Sequence, residues 1–227
     1  VKSAVSENID AIYKELRKKY ADFAHHNRKN PLDELLLILC SVKRSEKVYL
    51  RAFKSLKQFF PTYHKIAQAS VQELTKQILW GGLQNQKARE LKNLMSAITK
   101  KFGQPSLAPL RKMPADECEK FLCSLPGVGK KVARCVLLYS LNMKVFPVDS
   151  HCWRISKRLG WIKATSKNQI CTSKDMDLLQ EKIPPKMRLS LHVNMISLGR
   201  DICMARLAKC GDCPISSFCP KIGVSKN

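Results

Sequence analysis

Acidic residues are scarce. The 227 residues hold 18 Asp plus Glu against 41 Lys plus Arg, a formal charge of +23. That imbalance says nothing about fold, but it sets the partner, because such a surface attracts polyanions, nucleic acid first. Long apolar runs are absent too. L-L-L-I-L at 35–39 falls far short of the roughly 20 residues a bilayer span needs, so no membrane span is expected and no membrane is expected as partner. The opening V-K-S-A-V-S-E-N-I-D has no apolar signal region and no initiating Met, and is taken as a trimmed N-terminus. No stretch alternates apolar and polar residues with a β-branched bias, so strands are not expected. There is no internal repeat and no low-complexity tract.

What is present is helical spacing. Ile9, Ile12, Tyr13 and Leu16 share a face. Pro31 opens a second segment lined by Leu32, Leu35, Leu36 and Leu39. Further helices are expected at about 46–60, 71–79, 86–102, 115–123, 130–142, 150–159, 174–182 and 187–199. Short connections carrying Pro or Gly join them. The fold class is all-α.

Of ten cysteines, Cys40, Cys118, Cys123, Cys135, Cys152 and Cys171 are scattered through helical patterns and are expected as small buried hydrophobes. The other four crowd together as C-x6-C-x2-C-x5-C: Cys203, Cys210, Cys213 and Cys219. The close pair can bite one centre from a tight turn, with the outer two approaching from either side. Four thiolates hold a zinc ion or an iron–sulfur cluster, and spacing alone does not choose. Arg206, Lys209 and Lys221 in or beside these loops suit phosphate.

The stretch L-P-G-V-G-K-K at 125–131 joins two helices. Pro126 stops the first. Gly127 and Gly129 are expected to take backbone angles closed to other residues, with Val128 between them. The orphan amides opening the next helix form a seat for phosphate. Lys130 shares a face with Arg134, an expected exposed basic stripe. Lys131 shares its face with Cys135 and Leu138. Burial and the positive helix N-terminus disfavour its ammonium, and a neutral lysine amine is a Schiff-base nucleophile. Downstream, Asp149 in F-P-V-D-S-H-C-W ends an extended stretch, either as a helix N-cap or as a carboxylate at a cleft edge.

Together these pieces resemble the helix-hairpin-helix DNA glycosylases with an iron–sulfur cluster, the endonuclease III family most of all. L-P-G-V-G-K-K, V-D-S-H, L-H-V-N-M-I-S-L-G-R at 191–200, the cysteine array and G-G-L-Q-N-Q-K-A at 81–88 carry the resemblance, over roughly residues 30–220. It implies a [4Fe–4S] cluster on the four cysteines. It also implies two lobes flanking a DNA groove: a six-helix barrel over 30–143, with its helix-hairpin-helix at about 115–142, and a cluster lobe from 1–29 plus 144–227. Lys131 falls at the family's nucleophile position and Asp149 at its catalytic carboxylate. The implied activity is removal of a damaged or modified pyrimidine from a flipped nucleotide, followed by abasic-site β-elimination through a lysine Schiff base. Leu83 corresponds to the residue wedged into the gap. Gln84, His151 and the hairpin residues Gly127 to Lys130 fall among the family's DNA contacts. The implied protein is a monomer acting on double-stranded DNA, inside a prokaryotic cell or in a nucleus.

Three positions depart from the family pattern. Lys43 stands where Gln is usual; a lysine only donates, so opposite an orphaned base it favours guanine O6 and N7. Glu46 replaces a usual Asp, and Gln84 sits where an aromatic residue is common. F-P-V-D and L-H-x-x-M-I also resemble the plant 5-methylcytosine glycosylases. Excision of a modified or mismatched base is therefore one alternative, and a non-catalytic DNA-structure-binding module is another.

Overall fold

The computed structural model describes residues 2–22, 27–41, 45–77 and 84–224, with side chains from residue 8 onward. Every regular element among them is helical, apart from one isolated bridge between Cys203 and Ala208. The chain divides into two compact units, one formed by residues 1–26 and 144–227, the other by residues 27–143.

The second unit contains α2 (Pro31–Ser41), α3 (Glu46–Phe59), α4 (Tyr63–Gln68), α5 (Val71–Gln77), α6 (Gln84–Phe102), α7 (Ala115–Ser124) and α8 (Lys130–Leu141). Asn30 starts α2, its Oδ1 accepting the amides of Leu32 at 2.9 Å and Asp33 at 3.2 Å, while Pro31 occupies the first turn, where its missing N–H costs nothing. Helix α2 is buried nearly all round. It packs against α3 and α8, with Leu32, Leu35 and Leu36 removed from solvent. Each such leucine contributes roughly 1.5–3 kcal/mol by burial. Among these leucines lies one carboxylate, Glu34, 1% exposed.

Helix α4 is absent from the periodicity, because six residues are too few to establish a helical face. Its formation has a local cause: Thr62 accepts the Lys65 amide at 3.3 Å and Ile66 anchors it.

The first unit contains α1 (Lys2–Tyr20), α9 (Ser150–Arg158), α10 (Ser173–Lys182) and α11 (Arg188–Asp201), followed by the cysteine-rich loop. Ile9, Ile12 and Leu16 of α1 join Phe146, Val148, Ile155 and Leu191 in one core. A capping box starts α10: Thr172 Oγ1 accepts the Asp175 amide at 3.2 Å, and Asp175 Oδ2 accepts the Thr172 amide at 2.8 Å. Asp22 ties α11 back, accepting from Asn194 Nδ2 at 2.8 Å and from the Ser190 hydroxyl.

Of the scattered cysteines, Cys40, Cys118, Cys135 and Cys152 are buried, but Cys123 is exposed and Cys171 only half-buried. Cys123 falls in the last turn of α7, on its solvent side.

Candidate functional site

In the second unit, α7 closes on Leu125 and the chain turns through Pro126 to Gly129. Gly127 has φ +74°, and a Cβ there would stand 3.3 Å from Glu90 Oε2. The positive φ is what calls for glycine there, since the Glu90 carboxylate is the movable end of a side chain. Gly129 has no such need: at φ −91° and ψ 171° it is ordinary extended backbone, contrary to the expectation from the sequence. What distinguishes Gly129 is open space, since nothing lies within 4 Å of where its Cβ would be. Val128 is buried and holds the turn down.

The expected exposed stripe of Lys130 and Arg134 does not exist. Arg134 is 2% exposed, and both cations converge on Glu119 of α7. The reason is helical geometry: the face four residues along from Lys130 looks at α7, where Glu119 is waiting. Lys130 Nζ is 3.5 Å from Glu119 Oε1, leaving the lysine half-buried.

Lys131 is also half-buried, above Cys135 and Leu138, both nearly inaccessible. The sequence missed its neighbour Glu34. Burial pushes that carboxyl up to about 7, while the Arg28 amide, at 2.5 Å from Oε2, and the charges of Arg28 and Lys131 pull it back only in part. Helix α8 also reaches this corner through Ser140, whose Oγ donates to the Arg28 carbonyl at 2.5 Å. The signal was legible as an acid set directly against the apolar run L-L-L-I-L.

In the first unit, Asp149 caps α9, Oδ1 accepting the Cys152 amide at 2.7 Å. Burial alone would raise its pKa. The charges of His192 and His151 and the Cys152 amide outweigh burial and hold it below the usual carboxylate range. His151 is wedged against α11: a Cβ on Gly199 would come within 2.5 Å of its Nδ1. Arg154 Nη2 donates to that Nδ1 at 3.0 Å, and burial, with the charges of Arg154 and Arg200, keeps the ring below its usual pKa. The neutral ring then carries its proton on Nε2.

The four clustered cysteines line one pocket together with Ile155, Leu198 and Ile215. Arg158 Nη1 donates to Cys203 Sγ at 3.1 Å and to the Met204 carbonyl at 2.8 Å, and the Lys221 amide donates to Cys219 Sγ at 3.4 Å. Burial and the neighbouring thiols push Cys213 and Cys219 up, a repulsion that bound cationic iron would relieve. Among the described residues no three His, Cys, Asp or Glu side chains are placed to hold a metal ion. Four thiols around one pocket are donors that suit a thiolate-bound metal centre. Arg206, Leu207 and Lys209 on the same loop are exposed. Gln84 is exposed at the start of α6; Lys43 and Leu83 lie outside the described residues.

The sequence pattern of the HhH-GPD superfamily base excision DNA repair proteins matches residues 34–181. An Arabidopsis thaliana protein provisionally named a DNA glycosylase is 32% identical over 197 residues, covering 82% of this chain and 66% of that one. Endonuclease III of Thermotoga maritima is 26% identical over 211 residues, covering 93% and 92%. A solved non-covalent endonuclease III–DNA complex superposes with a TM-score of 0.76 at 25% identity, covering 95% of each chain. The chain thus has the endonuclease III fold and belongs to the HhH-GPD superfamily of base excision DNA repair glycosylases.

Proposed function

We propose that this glycosylase removes an oxidised pyrimidine from duplex DNA and then cuts the abasic site, with Lys131 as nucleophile and Asp149 as supporting carboxylate. One observation carries the reading. The lysine directly behind the hairpin sits half-buried, over apolar neighbours and beside a buried acid, while Lys130 is paired on Glu119. Attack on a sugar carbon uses such an amine as its free base.

The hairpin takes the DNA backbone. The orphan amides of α8 and the open space above Gly129 accept a phosphate without reading sequence. Gln84, His151 through Nε2–H, and the basic loop around Arg206 extend that grip. Leu83 fills the gap left by the flipped nucleotide.

Asp149, ionised by its surroundings, stabilises the positive charge that develops on the sugar as the base leaves. Lys131 enters as the neutral amine. Its lone pair forms a bond to C1′ while the glycosidic pair departs with the base, which takes up a proton. The nitrogen then loses a proton and its lone pair opens the C1′–O4′ bond, whose electrons leave on O4′ and are protonated there, giving a protonated imine. Loss of a C2′ proton expels the 3′ phosphate and nicks the strand on that side.

Cys203, Cys210, Cys213 and Cys219 would hold a [4Fe–4S] cluster, which would supply the iron–sulfur bonds that pin the loop between them. Arg158 orients that loop through Cys203 and Met204.

The test is borohydride trapping on a duplex with a single abasic site. A covalent adduct is expected, lost in Lys131→Ala. No adduct from the wild type would leave a DNA-binding module instead. A panel of duplexes, each with one oxidised pyrimidine, one 5-methylcytosine or one mismatch, fixes the substrate. Release of 5-methylcytosine alone would overturn the oxidised-pyrimidine assignment.

A further inference from the structure

His192 makes and breaks no bond in the chemistry above. It lies on α11 between Leu191 and Val193, 1% exposed, with its ring edge-on to Phe146 at a centroid distance of 6.1 Å. A leucine would fill that space without the cost of burying a polar ring. The imidazole does something an alkyl group cannot. Its Nδ1 is 3.4 Å from Cys152 Sγ, and that sulfur is 3.8 Å from the His192 carbonyl oxygen. Cys152, itself inaccessible, donates its amide to Asp149 Oδ1 at 2.7 Å.

We propose that His192 is a positioning residue for Asp149: linked through Cys152 to the turn that Asp149 caps, its imidazolium holds the carboxylate charged and in place. The inference rests on the proposed role of Asp149.

The hydrogen bonding accommodates a cation. With both ring nitrogens protonated, Nδ1–H donates to the Cys152 sulfur. The thiol proton then goes to the His192 carbonyl, so neither the sulfur nor that carbonyl loses a partner. A carboxylate and an imidazolium in one semi-enclosed site keep each other charged. Three groups act on Asp149 in this way: His192, His151 and the Cys152 amide, with burial opposing them. Among the groups around His192 are Asp149, the Cys152 thiol and the uncharged Phe146 ring. His151 is a weaker source of charge, because Arg154 donates into its Nδ1 and burial lowers its pKa. His192 therefore stands first among the groups that favour the Asp149 carboxylate.

The test is a side-chain carboxyl ¹³C NMR titration of the full-length holoprotein, with Asp149→Asn identifying the resonance. His192→Gln keeps a polar side chain without charge, and His192→Phe fills the space beside Phe146. Both are expected to move the Asp149 midpoint upward. The acid limb of single-turnover base release from a thymine-glycol duplex should move to higher pH in parallel. A merely structural role would lower the melting temperature and leave the midpoint where it was. An unchanged midpoint in a folded His192→Gln protein overturns the proposal.

Should both variants fail to fold, the reciprocal measurement decides. The His192 midpoint, followed by ¹H NMR, should fall in Asp149→Asn, and no fall overturns the proposal. Base release that survives Asp149→Asn would instead overturn the catalytic reading of Asp149, while a moved midpoint would still establish the electrostatic link.

Discussion

Glu119 grips Arg134 with both carboxylate oxygens, Nε to Oε2 at 2.7 Å and Nη2 to Oε1 at 3.3 Å, and so locks α7 to α8 behind the hairpin. The guanidinium is buried, so removing its partner strands a desolvated charge. Glu119→Ala should therefore cost about 3–5 kcal/mol. Lys130→Ala removes only the longer, more exposed contact to the same carboxylate, worth about 1 kcal/mol or less. Urea denaturation of the two variants measures the contrast. Equal losses would show that the bidentate pair is not what joins the helices.

Gly199 tests the seat of His151. Gly199 lies in the last turn of α11, and within a helix alanine normally gains up to about 1 kcal/mol over glycine. Here the added Cβ would lie 2.5–2.9 Å from three atoms of the His151 side chain. The clash outweighs the propensity, because His151 is held by Arg154, which is itself fixed on the Gly199 and Cys203 carbonyls. Gly199→Ala should melt several degrees lower and release base more slowly. A protein that melts higher, with unchanged release, would mean the ring moves freely.

The all-α fold was legible because α1, α2, α6 and α8 each show several turns of regular apolar spacing. The cysteine array and the hairpin were legible from spacing and from Pro and Gly. What escaped were facts about partners. Nothing within four residues of Arg134 reveals that Glu119, fifteen positions earlier, would bury it. Nothing near Glu34 reveals Lys131. Gly129 was misjudged because glycine signals either a special dihedral or a lack of bulk, and only coordinates separate the two. His192 stood in a recognised segment, but its meaning depends on Cys152, forty residues away.

The cysteine loop makes a compositional prediction. Cys213→Ser should lose both iron and acid-labile sulfide, which an intact [4Fe–4S] cluster carries at four each per chain. The loop would then lose the bonds that pin it. Arg154 and Arg158 reach Cys203 and its neighbours from α9, the helix that Asp149 caps, so the loss should loosen that helix too. Hydrogen exchange at residues 150–158 should speed up in the variant, alongside iron and sulfide analysis. Stoichiometric zinc with no sulfide in the wild type would refute the cluster.

Glu34 ties stability to pH. Burial raises its pKa from 4.5 to about 7, so the folded chain binds this proton more tightly than the unfolded chain. The stabilising contribution is complete below about pH 4.5 and is lost as pH rises through about 7. Above that the buried carboxylate is charged and costs about 3 kcal/mol, the equivalent of the gap between the two values. Glu34→Leu on the apolar α2 removes the charge. It should be more stable than the wild type at pH 8, by up to about 3 kcal/mol, with the advantage shrinking toward pH 5. Lys131 would lose its neighbouring acid in the same step. Denaturant midpoints at pH 5, 6, 7 and 8 measure the difference. Parallel curves for variant and wild type would show that Glu34 stays charged throughout and that its burial is compensated.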